Sequence, residues 1–356
     1  MKIVAFGSDL NFALKKIKPF INFKGFQDQP LMRTVKITVS DCDTRIEATD
    51  WDKTIRVKLP PLSAPEPGEL CIGFKELQQA VKGQKDLVTI TDNEIICNHV
   101  PIRFEPFSAK DFESPFPENP PGAEKEYILT QDFIEGLSSC LPYVSVEDSR
   151  PAFTGVWITQ KKLIASDTHA LILCERCGVD HNKDAVVPAN SVKAIVETFK
   201  KHERVFCHVT DKFITVTDKC NFTVVSRLLE TRIPPFEQIV KSIPRTINFF
   251  YINPKEFLEV LNTIPAERPQ TVIQLNLDIE RGVSLQTGKV RAFPLQCRPF
   301  VVENMQVLCN LKYLKRLAST FLDNEEIAIN FTGANSFVTA VGETITTLFL
   351  PIRKER

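Results

Sequence analysis

Apolar residues recur along the chain in two rhythms. Leu10, Leu14 and Ile17 follow an i, i+4, i+7 spacing, which predicts a helix over 8–17 capped by Ser8 and ended before Pro19. Thr130 opens a second such stretch with Phe133, Leu137 and Leu141, closed by Pro142. Asn253 and Pro254 open a third with Phe257, Leu261 and Ile264, closed by Pro265. Leu10 and Phe133 lie 123 residues apart, and Phe133 and Phe257 lie 124 apart, so the pattern repeats.

Between the helical stretches the rhythm shortens to two. Residues 35–39, 45–50 and 54–57 alternate apolar and polar positions, as do 155–158, 163–167 and 170–173, and again 273–277, 282–287 and 290–293. That alternation predicts half-buried antiparallel strands. An Ala-Thr/Ser-Asp turn recurs at Asp50 and Asp167 and becomes Thr287-Gly288 in the last third. A second helix is predicted in each third, over 74–81, 190–199 and 310–321, followed by strands over 87–104, 205–229 and 327–350. The unit is helix, strands, helix, strands, about 120 residues long and used three times. Proline-rich joins at 108–126, with Pro115, Pro117, Pro120 and Pro121, and at 241–246, with Pro244, predict domains over 1–122, 123–245 and 246–356. The fold class is α+β, with two helices on antiparallel sheets in each domain.

Composition narrows the function. The 44 Lys+Arg balance 44 Asp+Glu, which excludes a uniformly basic coat but allows separate patches of opposite sign. Hydrophobic residues at 43% and charged residues at 25% match a globular chain with real cores. The apolar run 1–6 is too short for a signal-peptide core, and no stretch is long enough to span a bilayer, so a cytoplasmic protein without a membrane partner is expected. Ten scattered cysteines then read as reduced thiols.

The local strings resemble one family. Residues 165–171, Ala-Ser-Asp-Thr-His-Ala-Leu, and 226–234, Ser-Arg-Leu-Leu-Glu-Thr-Arg-Ile-Pro, are similar to strings of the bacterial DNA polymerase III beta sliding clamp. So are Asp111-Phe112 after Arg103-Phe104, and the apolar, Pro, Ile, Arg ending at 348–353. Thr168 and Ala170 stand where that family carries Gly and Arg. The resemblance implies a non-catalytic processivity factor without cofactor or metal. It would be a homodimer of three-domain protomers forming a six-domain ring on double-stranded DNA without sequence preference, associated with the nucleoid. Its partners would be the replicative DNA polymerase, a clamp loader and other proteins carrying a clamp-binding motif. Twelve helices of about 10 Å diameter side by side would surround a hole of about 28 Å, enough for a hydrated duplex.

The resemblance places a partner-peptide pocket at Arg150, Phe153, Ser166, Thr168, His169, Ala170, Leu171, Pro234, Gln238, Ile239, Leu348, Leu350, Ile352 and Arg353. Apolar walls with a few polar groups suit an extended peptide. Cations along the helices are expected to face DNA phosphates on all six helices: Lys15, Lys16, Lys75, Lys82, Lys193, Lys200, Lys201, Lys312, Lys315 and Arg316, with Lys24 in the loop after the first helix. Phe104 and Phe107 on one protomer, against Leu261 and Ile264 on the other, are the expected dimer anchors.

Competing chemistry is thin. Cys174, Cys177 and His181 have a C-x2-C-x3-H spacing that suits zinc, without an obvious fourth ligand. Asp167 and His169 read as a turn rather than an acid/base pair. No phosphate-binding loop or nucleophile-elbow motif occurs, and glycines number only 13. A metal-dependent enzyme on the same fold, or a monomeric peptide-binding adaptor, are the alternatives.

Overall fold

The computed structural model describes residues 1–22, 30–40, 43–60, 62, 66–112, 114, 116, 127–177, 179, 184–265, 271–288 and 293–353. Lys24, His181 and most of the 108–126 join lie outside them.

One order of elements occurs three times. The first third contains β1 (Lys2–Phe6), α1 (Gly7–Ile17), β2 (Thr34–Val39), β3 (Thr44–Thr49), β4 (Lys53–Lys58), β5 (Gly68–Gly73), α2 (Phe74–Val81), β6 (Leu87–Thr91), β7 (Glu94–Cys97) and β8 (Val100–Arg103). The second contains β9 (Tyr127–Thr130), α3 (Gln131–Cys140), β10 (Gly155–Thr159), β11 (Lys162–Ser166), β12 (Ala170–Glu175), β13 (Ala185–Pro188), α4 (Ala189–Phe199), β14 (Arg204–Val209), β15 (Phe213–Thr217) and β16 (Phe222–Arg227). After a short helix α5 (Phe236–Lys241) comes the third: β17 (Asn248–Ile252), α6 (Pro254–Asn262), β18 (Val272–Asp278), β19 (Gly282–Gln286), β20 (Phe293–Pro294), β21 (Arg298–Phe300), β22 (Met305–Asn310), α7 (Leu311–Thr320), β23 (Ile327–Phe331), β24 (Val338–Val341) and β25 (Ile345–Phe349).

Each expected helix forms on its apolar stripe. Leu10, Leu14 and Ile17 of α1, and Phe257 and Leu261 of α6, are all buried. At α6 the Asn253 side chain caps as the sequence implies, its Oδ1 accepting from the backbone N–H of Lys255 and Glu256 at 2.9 and 3.3 Å. Ser8 does not cap α1. The helix begins one residue earlier, at Gly7, whose N–H donates to the Asp86 carbonyl at 2.8 Å. A Cβ on Gly7 would lie 2.7 Å from the Gln84 carbonyl oxygen, so only glycine fits there. Asn11 then donates from Nδ2 to the carbonyls of Gly7, Val81 and Gln84, tying α1 to the end of α2.

The chain falls into two units. The first, Met1–Glu135 with Val187–Glu230, holds a four-stranded sheet in the order β1-β6-β7-β8 and an eight-stranded one in the order β5-β2-β3-β4-β16-β15-β14-β9. Its two halves meet where β4 pairs antiparallel with β16, Ile55 opposite Val224. On one face of this sheet Ile37, Ile46 and Val57 are buried, and on the other stand Lys36, Glu47 and Arg56. The alternation read from the sequence therefore separates an apolar face from a polar one, and on the polar face Glu47 is itself buried beside Arg56.

The second unit, Gly136–Val186 with Thr231–Arg356, repeats the device. Its larger sheet runs β13-β10-β11-β12-β25-β24-β23-β17-β21, joined where β12 pairs with β25. Its smaller sheet runs β20-β19-β18-β22, and α6 packs against α7. The aromatic core residues Trp157, Phe250, Phe257, Phe321 and Phe331 are fully buried, each stabilising the fold by about 1.5–3 kcal/mol in transfer terms.

Candidate functional site

The pocket residues expected from the sequence lie in the second unit. The turn from β11 to β12 is built by side chains: Asp167 Oδ1 accepts from the N–H of His169 at 3.1 Å and of Ala170 at 2.8 Å, while Ser166 Oγ accepts from Thr168 N–H at 3.0 Å. Thr168 is consequently held at φ +76°, a left-handed conformation that strains a β-branched residue. The matching turn of the first third is the same device: Thr49 Oγ1 accepts from Trp51 N–H at 3.1 Å, Asp50 Oδ1 accepts from the N–H of Asp52 and Lys53, and Trp51 sits at φ +73°. Two turns 117 residues apart thus share one hydrogen-bond scheme.

β25 brings the C-terminal segment to this turn. Ala170 pairs with Phe349 and Leu171 with Leu348, and the Leu350 N–H donates to the His169 carbonyl at 2.9 Å. Ile352 N–H reaches the Leu308 carbonyl at 2.7 Å, so the segment is held down through Ile352. Ser166, Ala170, Leu171 and Leu348 are buried and form a floor, whereas His169, Leu350 and Arg353 are exposed. Tyr313 of α7 completes the group, stacking on Phe349 at 6.0 Å and lying 6.3 Å from the His169 ring.

A second cluster carries the other expected members. Phe153 packs edge-on against Trp157 at 5.6 Å and against Phe236 at 6.4 Å. Pro234 and Pro235 lead into α5, which sets Gln238 exposed and Ile239 half-buried beside Phe236. Arg150 is exposed at the start of the turn that carries Phe153. The β10–β11 pairing of Trp157 with Ile164 connects this cluster to the strand that enters the turn. Sequence reasoning missed Tyr313, Trp157 and Phe236. Only the two prolines before Phe236 signal a new element, and nothing local marks Tyr313.

The expected DNA-facing cations divide. Lys15, Lys75, Lys82, Lys193, Lys200, Lys201 and Lys312 are exposed, and Lys315 is half-buried. Lys16 is otherwise engaged, its Nζ donating to the carbonyls of Glu197 and Thr198 at 2.7 and 2.8 Å near the end of α4. Burial, and then Lys200 and Lys201 nearby, hold its pKa below the ordinary lysine value. Arg316 is also engaged: Nη1 donates to Asp167 Oδ2 at 2.8 Å, and the guanidinium lies between Tyr143 and Tyr313, 5.0 and 5.1 Å from their ring centres. The helices do not all carry cations, since α3 has Asp132 and Glu135 and no Lys or Arg.

Of the expected dimer anchors, Phe107 is exposed and Phe104 half-buried, but Leu261 and Ile264 lie in the core of the second unit. They face inward because they continue the α6 stripe that begins at Phe257. The Cys174 thiol lies 3.9 Å from that of Cys140 in the interior, and Cys177 donates to the Glu175 carbonyl. Among the described residues no cluster of His, Cys, Asp or Glu is placed to hold a metal ion, and no helix is long and apolar enough to cross a membrane.

No protein-family model matches the chain, and no curated protein is similar to it. Solved structures are. The DNA polymerase sliding clamp of Bacillus subtilis superposes with a TM-score of 0.86 at 20% identity, covering 100% of both chains. The DNA polymerase III beta subunit of Pseudomonas aeruginosa superposes at 0.86 and 17% identity, over 99% of this chain and 100% of that one. A sliding clamp of Bartonella birtlesii bound to griselimycin superposes at 0.86 and 15% identity, again over 99% and 100%. The chain therefore has the sliding-clamp fold over its full length.

Proposed function

We propose that the protein is a DNA sliding clamp. Two copies close head to tail around duplex DNA, and the ring holds a replicative polymerase, a clamp loader and other proteins bearing a short clamp-binding motif. The pattern of sheet completion carries the reading. β4 and β12 each close the first strand group of their third, and each pairs with the last strand of the next third, β16 and β25. The corresponding strand of the last third is β20, and the last strand of the first third is β8. Both are edges of four-stranded sheets. By the same rule β20 of one copy takes β8 of a second, and two such joins related by a two-fold axis close the assembly.

The chemistry of the β8 edge supports the join. Val100 and Ile102 are 61% and 40% exposed on an unpaired edge, an arrangement that invites pairing with another chain. Beside it, Ala80, Ile95, Ile102 and Phe104, rimmed by Glu76, Gln79 and Arg103, line a hollow of about 270 Å³ with room for a partner side chain. Phe293, on β20, is likewise exposed. Each third is then one clamp domain, 1–122, 123–245 and 246–356.

Lys15, Lys75, Lys193, Lys200, Lys201 and Lys312 would supply sequence-independent attraction to phosphates, while closure would supply persistence. The His169, Leu350 and Tyr313 group, together with the Phe153 cluster, would receive an extended peptide. This role requires no catalytic residue, metal or cofactor, and the protein would work in the cytoplasm at the nucleoid. The direct test of closure is mass in solution. Sedimentation equilibrium at micromolar concentration is expected to give twice 40.3 kDa, and Ile102→Asp is expected to give a monomer with unchanged circular dichroism. A wild-type monomer would contradict the ring.

A further inference from the structure

The apolar stripe of α1 turns Leu10, Leu14 and Ile17 into the core, and Phe12 lies off it, 53% exposed. Lys15 and Lys16 stand three and four residues further on, so the ring and the two ammonium groups share one face of the helix. Burial in the core does not account for an aromatic residue at this position.

The ring is nevertheless held in place. It meets Phe222 of β16 edge-on, with ring centres 5.9 Å apart and planes at 69°. Phe222 is buried and packs edge-on against His202 at 5.8 Å, which packs in turn on Phe199 at 5.4 Å. His202 Nε2 lies 3.3 Å from Asp218 Oδ2, which fixes the far side of the row. Phe12 is thus the outermost of four packed rings and the one most open to solvent.

Cations gather beside it. Lys16 Nζ stands 5.9 Å from the Phe12 ring centre and donates to the carbonyls of Glu197 and Thr198, which brings the C-terminal end of α4 alongside α1. Lys200 and Lys201 follow at that end, and both are exposed, as is Lys15. Burial first, and then the charges of Lys200 and Lys201, lower the Lys16 pKa, so these ammonium groups lie close enough to feel one another. Among the described residues Lys15, Lys200 and Lys201 form no ion pair. Glu197 opposes the cations at Lys16, while Asp9 lies about two turns back along α1 and Glu203 two residues beyond Lys201.

This combination selects its occupant. An apolar protein surface laid over Phe12 would bury ammonium groups without partners, which is strongly unfavourable. A paired duplex would give the lysines phosphates but would show the ring no base face. A single strand supplies both, since each unpaired base has a face that stacks on an aromatic ring while its phosphates meet the flanking cations.

We propose that Phe12 is a base-stacking contact for single-stranded DNA, with Lys15, Lys16, Lys200 and Lys201 holding the phosphates around it. This rests on the assignment of α1 and α4 to the DNA side, and not on ring closure. The test is fluorescence anisotropy of the full chain, at low salt, with a labelled oligothymidylate and with a labelled duplex of the same length. Phe12→Ala is expected to weaken single-strand binding by about fivefold or more, to leave duplex binding within about twofold, and to keep the thermal midpoint. Phe12→Trp is expected to retain single-strand binding, with tryptophan emission quenched by the oligothymidylate and not by the duplex. Lys200→Gln/Lys201→Gln is expected to weaken both DNAs. An unchanged single-strand affinity in Phe12→Ala, or an equal loss on both DNAs, would overturn the proposal while leaving the DNA side where it is assigned. Failure of the wild-type chain to bind either DNA would overturn the proposal and that assignment together.

Discussion

Arg316 and Asp167 are 149 residues apart in sequence and 2.8 Å apart in the fold, with side chains only 9% and 12% exposed. Their ion pair ties α7 to the turn between β11 and β12. Asp167 uses one carboxylate oxygen to build that turn and the other to hold Arg316, while the rings of Tyr143 and Tyr313 lie 5.0 and 5.1 Å from the guanidinium.

Replacing Arg316 by Ala therefore leaves a nearly buried carboxylate without its partner, and a loss of about 3 kcal/mol in urea unfolding is expected. Peptide affinity should fall more than tenfold, because Tyr313 and the turn lose their common support. DNA retention should change little. Arg316→Lys should recover much of the stability but less of the peptide binding, since a lysine cannot stack as a planar group.

Thr168 offers a gain. A non-glycine residue in the left-handed region costs about 1–2 kcal/mol, part of which glycine returns as unfolded-chain entropy. Thr168→Gly is expected to raise stability by about 0.5–1 kcal/mol, measured by thermal unfolding. An equal loss would show that the threonine side chain makes up the strain elsewhere.

The cations should separate by role. Lys16→Gln removes a donor to two carbonyls near the α4 end and should cost about 1 kcal/mol of stability. Lys15→Gln and Lys201→Gln should leave stability within about 0.5 kcal/mol. Each should instead lower the slope of log affinity for duplex DNA against log salt by about 0.9.

These contrasts mark where the sequence was legible. The three repeats, the helix stripes and the strand alternation are local and read from spacing alone, except that 290–292 of the strand expected over 290–293 lie outside the described residues. β1, β9 and β17, which open each third, run into the following helix with at most one residue between, so no turn sets their own pattern apart. α5 follows two prolines and spans six residues, too few for a stripe to show. Lys16 and Arg316 occupy helix positions where a solvated cation and a paired one look alike, because their partners lie 181, 182 and 149 residues away. Leu261 and Ile264 failed as dimer anchors for the opposite reason: the stripe that made the helix visible also sends them inward.

Burial also sets a pH limit. Desolvation pushes the thiols of Cys140, Cys207 and Cys309 well above their ordinary value of 9.0, and the Tyr143 hydroxyl from 10.0 up to about 12. The unfolded chain releases these protons near pH 9 to 10 while the folded chain keeps them. Stability should therefore fall as pH rises above 9, by up to about 1.4 kcal/mol per pH unit for each group. Urea midpoints at pH 8, 9.5 and 10.5 check this, and Tyr143→Phe should flatten the decline above pH 10.

The central claim is topological, and loading onto nicked circular DNA tests it most directly. With a clamp loader present, the protein should remain on circles in high salt and leave when the circle is cut to linear form. Equal loss from circles and linear DNA, in a preparation whose loading is verified by crosslinking, would contradict encirclement.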